Sequence, residues 1–452
     1  MKRMMMAMAL AAYGAFAAGE LDDAQLIGTT DKARAIDYAC GEKMTFTLTL
    51  KNAKEYPADT YFVSWKRTGD DGKTESGKLP LEKTPFVYTT SIDKPGFVRL
   101  TAYVTDAKGN AYKKTLHADP NTIEGRRALN RWERADKRVF FDGGAGAEPA
   151  KIQSVPEPAD FDAFWARHKE RLAKVPLKAD LVEIPLKDTR VKAYAVTIAC
   201  AGPRPSTGYM TVPTAPGKYP ISMSFHGYGH SGNGKGHVIQ PPTYGATDRI
   251  FFNFSPHGYE LLREPEYYDE FYRSLMNGNR TFGFYDEQNK DPENSYFSGF
   301  TYRIMRALQY LKTRPEWDGK NIRVAGGSMG GLQSMWAAGL DPDVTLAEPS
   351  IPWNCDIGGR DTLKRIIDPW YIHETPALRY YDNVNLAKRI PKTCTVNITR
   401  AGLGDYCCPP SGIWAMWNNL KCPKKCRWVQ GSTHGHIPPE GMGNQEFVVE
   451  EN

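Results

Sequence analysis

Ser328 lies in the run Gly326-Gly327-Ser328-Met329-Gly330, a G-x-S-x-G spacing with a strand candidate before it and a helix candidate after it. Side chains two residues either side of a nucleophile on a sharp strand-to-helix turn would strike the packed strand and helix, so glycine is needed at both. The turn leaves the hydroxyl exposed, and the following helix aims N–H groups at an oxygen that becomes negative in acyl transfer. A serine hydroxyl also needs a base to take its proton and an acid to orient that base. Asp405 ends the strand candidate 395–402 through Leu403-Gly404, and His436 ends Gly431-Ser432-Thr433-His434-Gly435-His436 after the strand candidate 425–429. The order serine, acid, histidine predicts Ser328 as nucleophile, Asp405 as acid and His436 as base, with His434 the rival base two residues away.

These groups need a scaffold that brings strand ends together. Residues 182–450 alternate strand and helix patterns, which predicts a mostly parallel sheet covered by helices on both faces. The strand candidate 220–225 runs into His226-Gly227-Tyr228-Gly229-His230. A G-x-S-x-G elbow behind such a strand end is the arrangement of an α/β-hydrolase, where the His-Gly-aromatic-Gly loop lends a backbone N–H to the oxyanion. His226, His230 and His237 also raise metal binding, but their loop is glycine-rich and no helix fixes their spacing, so neither metal nor organic cofactor is expected. Residues 302–311 read as a helix and 255–296 as a polar, aromatic loop.

Before this unit, residues 26–114 read as all-β. Met44-Thr45-Phe46-Thr47-Leu48-Thr49-Leu50 alternates as a half-buried strand should, and strands are predicted at 61–65, 86–90 and 97–104. Their spacing predicts a small immunoglobulin-like sandwich over 20–118. Residues 119–155, with Gly143-Gly144-Ala145-Gly146, read as a flexible linker. Asp160 is the predicted N-cap of a helix reaching about residue 174, and 156–452 is the predicted hydrolase domain.

The chain has 452 residues, and its 58 basic and 52 acidic side chains are intermixed, so nucleic-acid binding has no electrostatic support. Lys2-Arg3, the apolar run 4–12 and Ala15-Phe16-Ala17-Ala18-Gly19 predict a signal peptide over 1–19 and export to the periplasm or beyond. No later stretch is apolar enough for a membrane span. Export permits disulfides among the eight cysteines, but their spacing does not fix any pairing.

Taken in order, Asp160-Phe161-Asp162-Ala163-Phe164-Trp165, His226-Gly227-Tyr228-Gly229, Arg306-Ala307-Leu308, Gly326 to Gly331, Cys355-Asp356 and Asp405-Tyr406-Cys407-Cys408-Pro409-Pro410-Ser411 resemble the acetyl xylan esterase and cephalosporin C deacetylase family of carbohydrate esterases (family 7). The resemblance covers 156–440. It implies a serine esterase that removes acetyl groups from xylan-type or other oligosaccharides, or from small acetyl esters, through an acetyl-enzyme. It implies the same Ser328, Asp405 and His436, with the amides of Tyr228 and Met329 as the oxyanion hole, and a homo-oligomer. Departures are Pro256-His257-Gly258 where the family has Arg-Gly-Gln, and Arg303 where it has an aspartate. A prolyl-oligopeptidase-like peptidase and a non-catalytic carbohydrate-binding protein on a hydrolase scaffold are the alternatives. The acyl range and the natural polymer stay open.

Overall fold

The computed structural model describes residues 19–452 except 117, 135, 231, 232 and 442. The signal peptide expected over 1–19 therefore lies, Gly19 apart, outside the described residues. Seventeen strands and eight α-helices occupy the described chain.

The N-terminal strands form two antiparallel sheets. One has the order β1 (Gln25–Thr30), β2 (Met44–Lys51), β5 (Phe86–Thr90). The other has the order β4 (Glu75–Pro80), β3 (Tyr61–Gly69), β6 (Gly96–Asp106), β7 (Phe140–Ala147). β2 buries Met44, Phe46 and Leu48 and turns its threonines outward, as its alternation predicts. These side chains share one core with Val63, Leu100, Val104 and Phe141 of the opposite sheet.

β7 corrects the linker reading. The run Gly143-Gly144-Ala145-Gly146 is a buried strand paired with β6, not a flexible tether. Its glycines answer to close approach. A Cβ on Gly144 would lie 2.7 Å from the Val98 carbonyl oxygen and 2.9 Å from that of Leu403, which belongs to the following domain. Before β7 the chain forms α1 (Ile123–Arg134).

The large sheet has ten strands in the order β17-β16-β15-β14-β13-β11-β12-β10-β9-β8. Six are mutually parallel: β12 (Ile250–Ser255), β11 (Tyr219–Phe225), β13 (Trp317–Gly327), β14 (Leu346–Ser350), β15 (Thr395–Gly402) and β16 (Lys424–Val429). Antiparallel β8 (Ala179–Ile184), β9 (Val191–Ile198) and β10 (Ser206–Pro213) extend one edge, and β17 (Glu446–Glu451) closes the other.

The helices are α2 (Phe161–Ala173), α3 (Pro265–Ser274), α4 (Tyr296–Lys312), α5 (Met329–Leu340), α6 (Gly358–Asp361), α7 (Asn383–Ala387) and α8 (Pro410–Trp417). α2 buries Phe161, Phe164, Trp165 and Leu172. Asp160 precedes it but makes no cap bond; its carboxylate accepts instead from the Tyr380 hydroxyl. α3 breaks up the segment read as a loop: Pro265 opens it, and Tyr268 and Tyr272, one turn apart, face the core. α4 and α5 lie in the core, where the Trp336 indole donates to the Tyr381 carbonyl at 2.8 Å.

Parallel register sets the site. Phe225 pairs with Gly326, Gly327 with Ser350, and Gly402 with Val429. The C-terminal ends of β11, β13, β15 and β16 thus lie side by side, and their loops carry 226–230, Ser328, 403–409 and 430–436. Open parallel sheets bind ligands at this edge.

Candidate active site

Ser328 has φ 57° and ψ −119°, a left-handed backbone that costs a serine on the order of 1–3 kcal/mol. The surroundings hold it there. Its N–H donates to the Ser350 carbonyl at 3.0 Å, and its own carbonyl accepts from Trp353 N–H at 3.1 Å. A Cβ on Gly326 would lie 2.5 Å from the Phe225 carbonyl oxygen, and one on Gly330 only 2.4 Å from it. Both glycines of the motif are therefore fixed by β11. The turn delivers the side chain to the mouth of α5.

Asp405 is fully buried beyond β15. One carboxylate oxygen accepts the N–H groups of Cys407 and Cys408 at 3.1 and 3.0 Å. The other lies 3.1 Å from Nδ1 of His434. His434 in turn lines a cavity of 670 Å³ with Ser328, Gly227, Tyr228, Trp370 and Cys407.

The expectation for His436 is corrected here. The chain folds back through a turn in which Thr433 N–H donates to the His436 carbonyl at 3.0 Å and the Ser432 hydroxyl donates to the same oxygen at 3.2 Å. His434 and His436 leave this turn in different directions. The His436 ring packs 5.2 Å from the Phe140 ring and lines a separate cavity with Lys114, Asp136 and Arg138. Asp405 is bonded to His434, the rival, and not to His436.

Charge favours the protonated form of His434. Burial acts against it, but the Asp405 carboxylate and the Cys407 sulfur outweigh burial and raise its pKa to about 10. For His436 burial dominates and pulls the pKa down.

The 226–230 loop lies beside the elbow: a Cβ on Gly227 would be 3.6 Å from the Gly327 carbonyl oxygen. Buried Gln333 of α5 steadies it by donating to the His226 carbonyl at 3.3 Å. The Tyr228 hydroxyl donates to the Phe282 carbonyl at 2.6 Å, which anchors the side chain behind the cavity edge. Met329 is the first residue of α5.

Sequence reasoning missed three of the site's neighbours. Trp370 is 38% exposed at the cavity wall and rests on Trp353, with ring centroids 5.0 Å apart, and on Tyr228 at 5.1 Å. Gln333 was visible only as a helix residue. Cys407 stood in the Asp-Tyr-Cys-Cys run, where its adjacency to Asp405 was the available signal. All eight cysteines are free thiols.

Donor atoms of Asp405, Cys407, Cys408 and His434 lie within 4.8 Å of one another, a set able to hold a soft divalent ion. His226, His230 and His237 form no comparable group among the described residues. In the arrangement present, Asp405 is engaged by His434 and by the backbone amides of Cys407 and Cys408.

The ten-stranded sheet, with Ser328, His434 and Asp405 at the C-terminal edge of its parallel strands, is that of an α/β-hydrolase, a fold that hosts several hydrolytic chemistries. Comparison with known proteins makes that assignment specific. The model of the acetyl xylan esterase family matches residues 151–447, and the chain belongs to that family. It is a carboxylic ester hydrolase acting on acetyl esters. Acetyl esterase Axe7A of Xylanibacter ruminicola is 31% identical over 311 residues, covering 64% of this chain and 68% of that protein. The solved acetyl xylan esterase from Paenibacillus sp. R4 superposes with TM-score 0.50 at 24% identity, over 64% of this chain and 94% of that one. Acetyl xylan esterase 1 from Thermoanaerobacterium sp. JW/SL YS485 gives TM-score 0.50 at 22% identity, over 66% and 94%. These two likenesses speak for the fold.

Proposed function

We propose that the chain is an exported serine esterase that removes acetyl groups from acetylated xylan-type oligosaccharides. Ser328 attacks the acetyl carbonyl while Nε2 of His434 takes its proton. Asp405 holds the opposite ring nitrogen and so fixes the tautomer. The Tyr228 and Met329 amides receive the oxyanion. The sugar alcohol leaves with the proton from His434, and water then releases acetate from the acetyl-enzyme by the same route.

The observation that carries this reading is the strained Ser328 sharing one cavity with a histidine already bonded to a buried carboxylate. Trp370 supports a sugar as the leaving group, because a half-exposed indole braced from behind is a stacking surface for a pyranose ring. The basic pair Lys2-Arg3, the apolar run 4–12 and the small residues 15–19 support export and an extracytoplasmic substrate.

Acetate release from acetylated xylo-oligosaccharides, run beside a dipeptidyl amide, tests the proposal. Release of acetate without amide cleavage is expected. Amide cleavage alone would favour a peptidase, and sugar binding without either reaction would favour a carbohydrate-binding scaffold.

A further inference from the structure

Arg303 on α4 is fully buried, yet its guanidinium is mostly unsatisfied. Nε donates to the Pro256 carbonyl at 2.7 Å, while both terminal nitrogens lack a hydrogen-bond partner. No carboxylate among the described residues lies within ion-pair distance of it. Burial lowers its pKa only to about 10, so it is charged at neutral pH. An isolated buried cation costs several kcal/mol unless something of opposite sign reaches it.

Space for a counter-ion exists. Arg303 lines a cavity of 420 Å³ together with Arg171, Arg204, Tyr296 and Ser298. Arg204 also has an unpartnered buried Nε, and its guanidinium lies over the rings of Phe271 at 5.0 Å and Tyr296 at 5.4 Å, which hold it in place. The one carboxylate in the wall, Glu293, lies within ion-pair distance of Arg167 at 3.2 Å and Arg171 at 2.9 Å, although its Oε2 accepts no hydrogen bond. Two guanidinium groups therefore border one cavity, Arg204 in its wall and Arg303 buried directly beneath its lining, with donors that no carboxylate of the described residues receives.

We propose that this cavity is a binding site for a small carboxylate or oxyanion, held by Arg303 at its floor and Arg204 at its wall. Fork-shaped guanidinium donors match such ligands in a way a single ammonium does not. The site uses none of the groups assigned to ester cleavage, so it stands or falls independently of that reading.

The test is calorimetric titration of the full chain at constant ionic strength in low-chloride buffer, with acetate, inorganic phosphate and glucuronate as separate probes. At least one is expected to bind saturably, once per chain, and to raise the unfolding temperature. Acetate as the preferred probe would identify the ligand with a short-chain carboxylate, phosphate with an inorganic oxyanion, and glucuronate with an acidic sugar. Arg204→Gln should weaken binding by about tenfold or more. Arg303→Met should abolish it and, lacking the unpaired charge, unfold at a higher temperature than the anion-free parent. Where Arg303→Met does not fold, Arg204→Gln decides by itself. Absence of saturable binding by all three probes, or unchanged affinity in the variants, would overturn the proposal.

Discussion

The two C-terminal histidines differ by two positions and by everything that matters chemically. His434 is bonded to Asp405 and faces the Ser328 cavity; His436 packs on Phe140 of β7. Replacing His434 with alanine is expected to lower kcat by about 10⁴-fold or more, as removal of a triad base does. His436→Ala should stay within about tenfold of the parent, its effect coming through packing. Steady-state acetate release measures both, and the opposite ranking would exchange their roles. Chain order placed a histidine in this loop, but the choice between the two rests on a turn closed by Thr433 N–H and the His436 carbonyl. Such a turn leaves no periodic trace in the sequence. By contrast, the placement of Ser328 at the turn after β13 and of Asp405 beyond β15 was legible, because the motif glycines and the strand-end aspartate each report a backbone geometry.

The raised pKa of His434 has a kinetic sign. A general base works in its neutral form, and a pKa held above the ordinary histidine value keeps the ring protonated to higher pH. Esterase activity should therefore climb on the alkaline side of neutrality. The Cys407 sulfur contributes to that shift, so Cys407→Ser should move the rising limb of the kcat/KM profile to lower pH. An unmoved limb would show that Cys407 does not tune the base.

At the scale of elements, alternation made β2 readable, runs of aromatic and β-branched residues between turns made β3, β5 and β6 readable, and apolar spacing made α2 and α4 readable. The missed strands lack those signals. β14 reads Leu-Ala-Glu-Pro-Ser, and its Glu348 is held by Arg323 at 2.5 Å and Asn397 at 3.1 Å, partners that only the folded sheet supplies. β17 is an edge strand rich in glutamate, paired to basic residues of β16 such as Arg427 at 2.6 Å. β7 looked like a linker because its glycines are selected by contact with the next domain. The Gln430 side chain bonds both the N–H and the carbonyl of Gly144, at 2.8 and 2.9 Å. Gly144→Val would push against two carbonyl oxygens and should cost about 1–3 kcal/mol by overpacking. Denaturant unfolding measures that loss, and an unchanged midpoint would remove β7 from the interface.

The whole molecule ties its β-sandwich to the acid loop. Arg99 of β6 pairs with Asp142 at 2.6 Å and with Asp368 at 2.6 Å, and its guanidinium lies 4.4 Å from the centre of the Tyr406 ring, next to Asp405. Asp70 accepts the N–H groups of Phe97 at 2.8 Å and Ile366 at 3.1 Å, and Phe97 stacks on Trp428 of β16. The sandwich therefore supports the strand ends that carry Asp405 and His434, a role that composition and spacing could not announce. A chain beginning at residue 151 should lose most of its esterase activity and expose apolar surface, read as dye binding and a lowered unfolding temperature. Parent-like kinetics and stability in the shortened chain would reduce the sandwich to an appendage.

The proposed mechanism requires covalent chemistry at one oxygen, Oγ of Ser328. Treating the full chain with a serine-directed phosphonate ester and mapping the adduct by peptide mass spectrometry tests this most directly. A single adduct on Ser328, loss of acetate release in step with labelling, and no adduct in Ser328→Ala are expected. Full turnover by Ser328→Ala, or inactivation with the adduct on another residue, would contradict it.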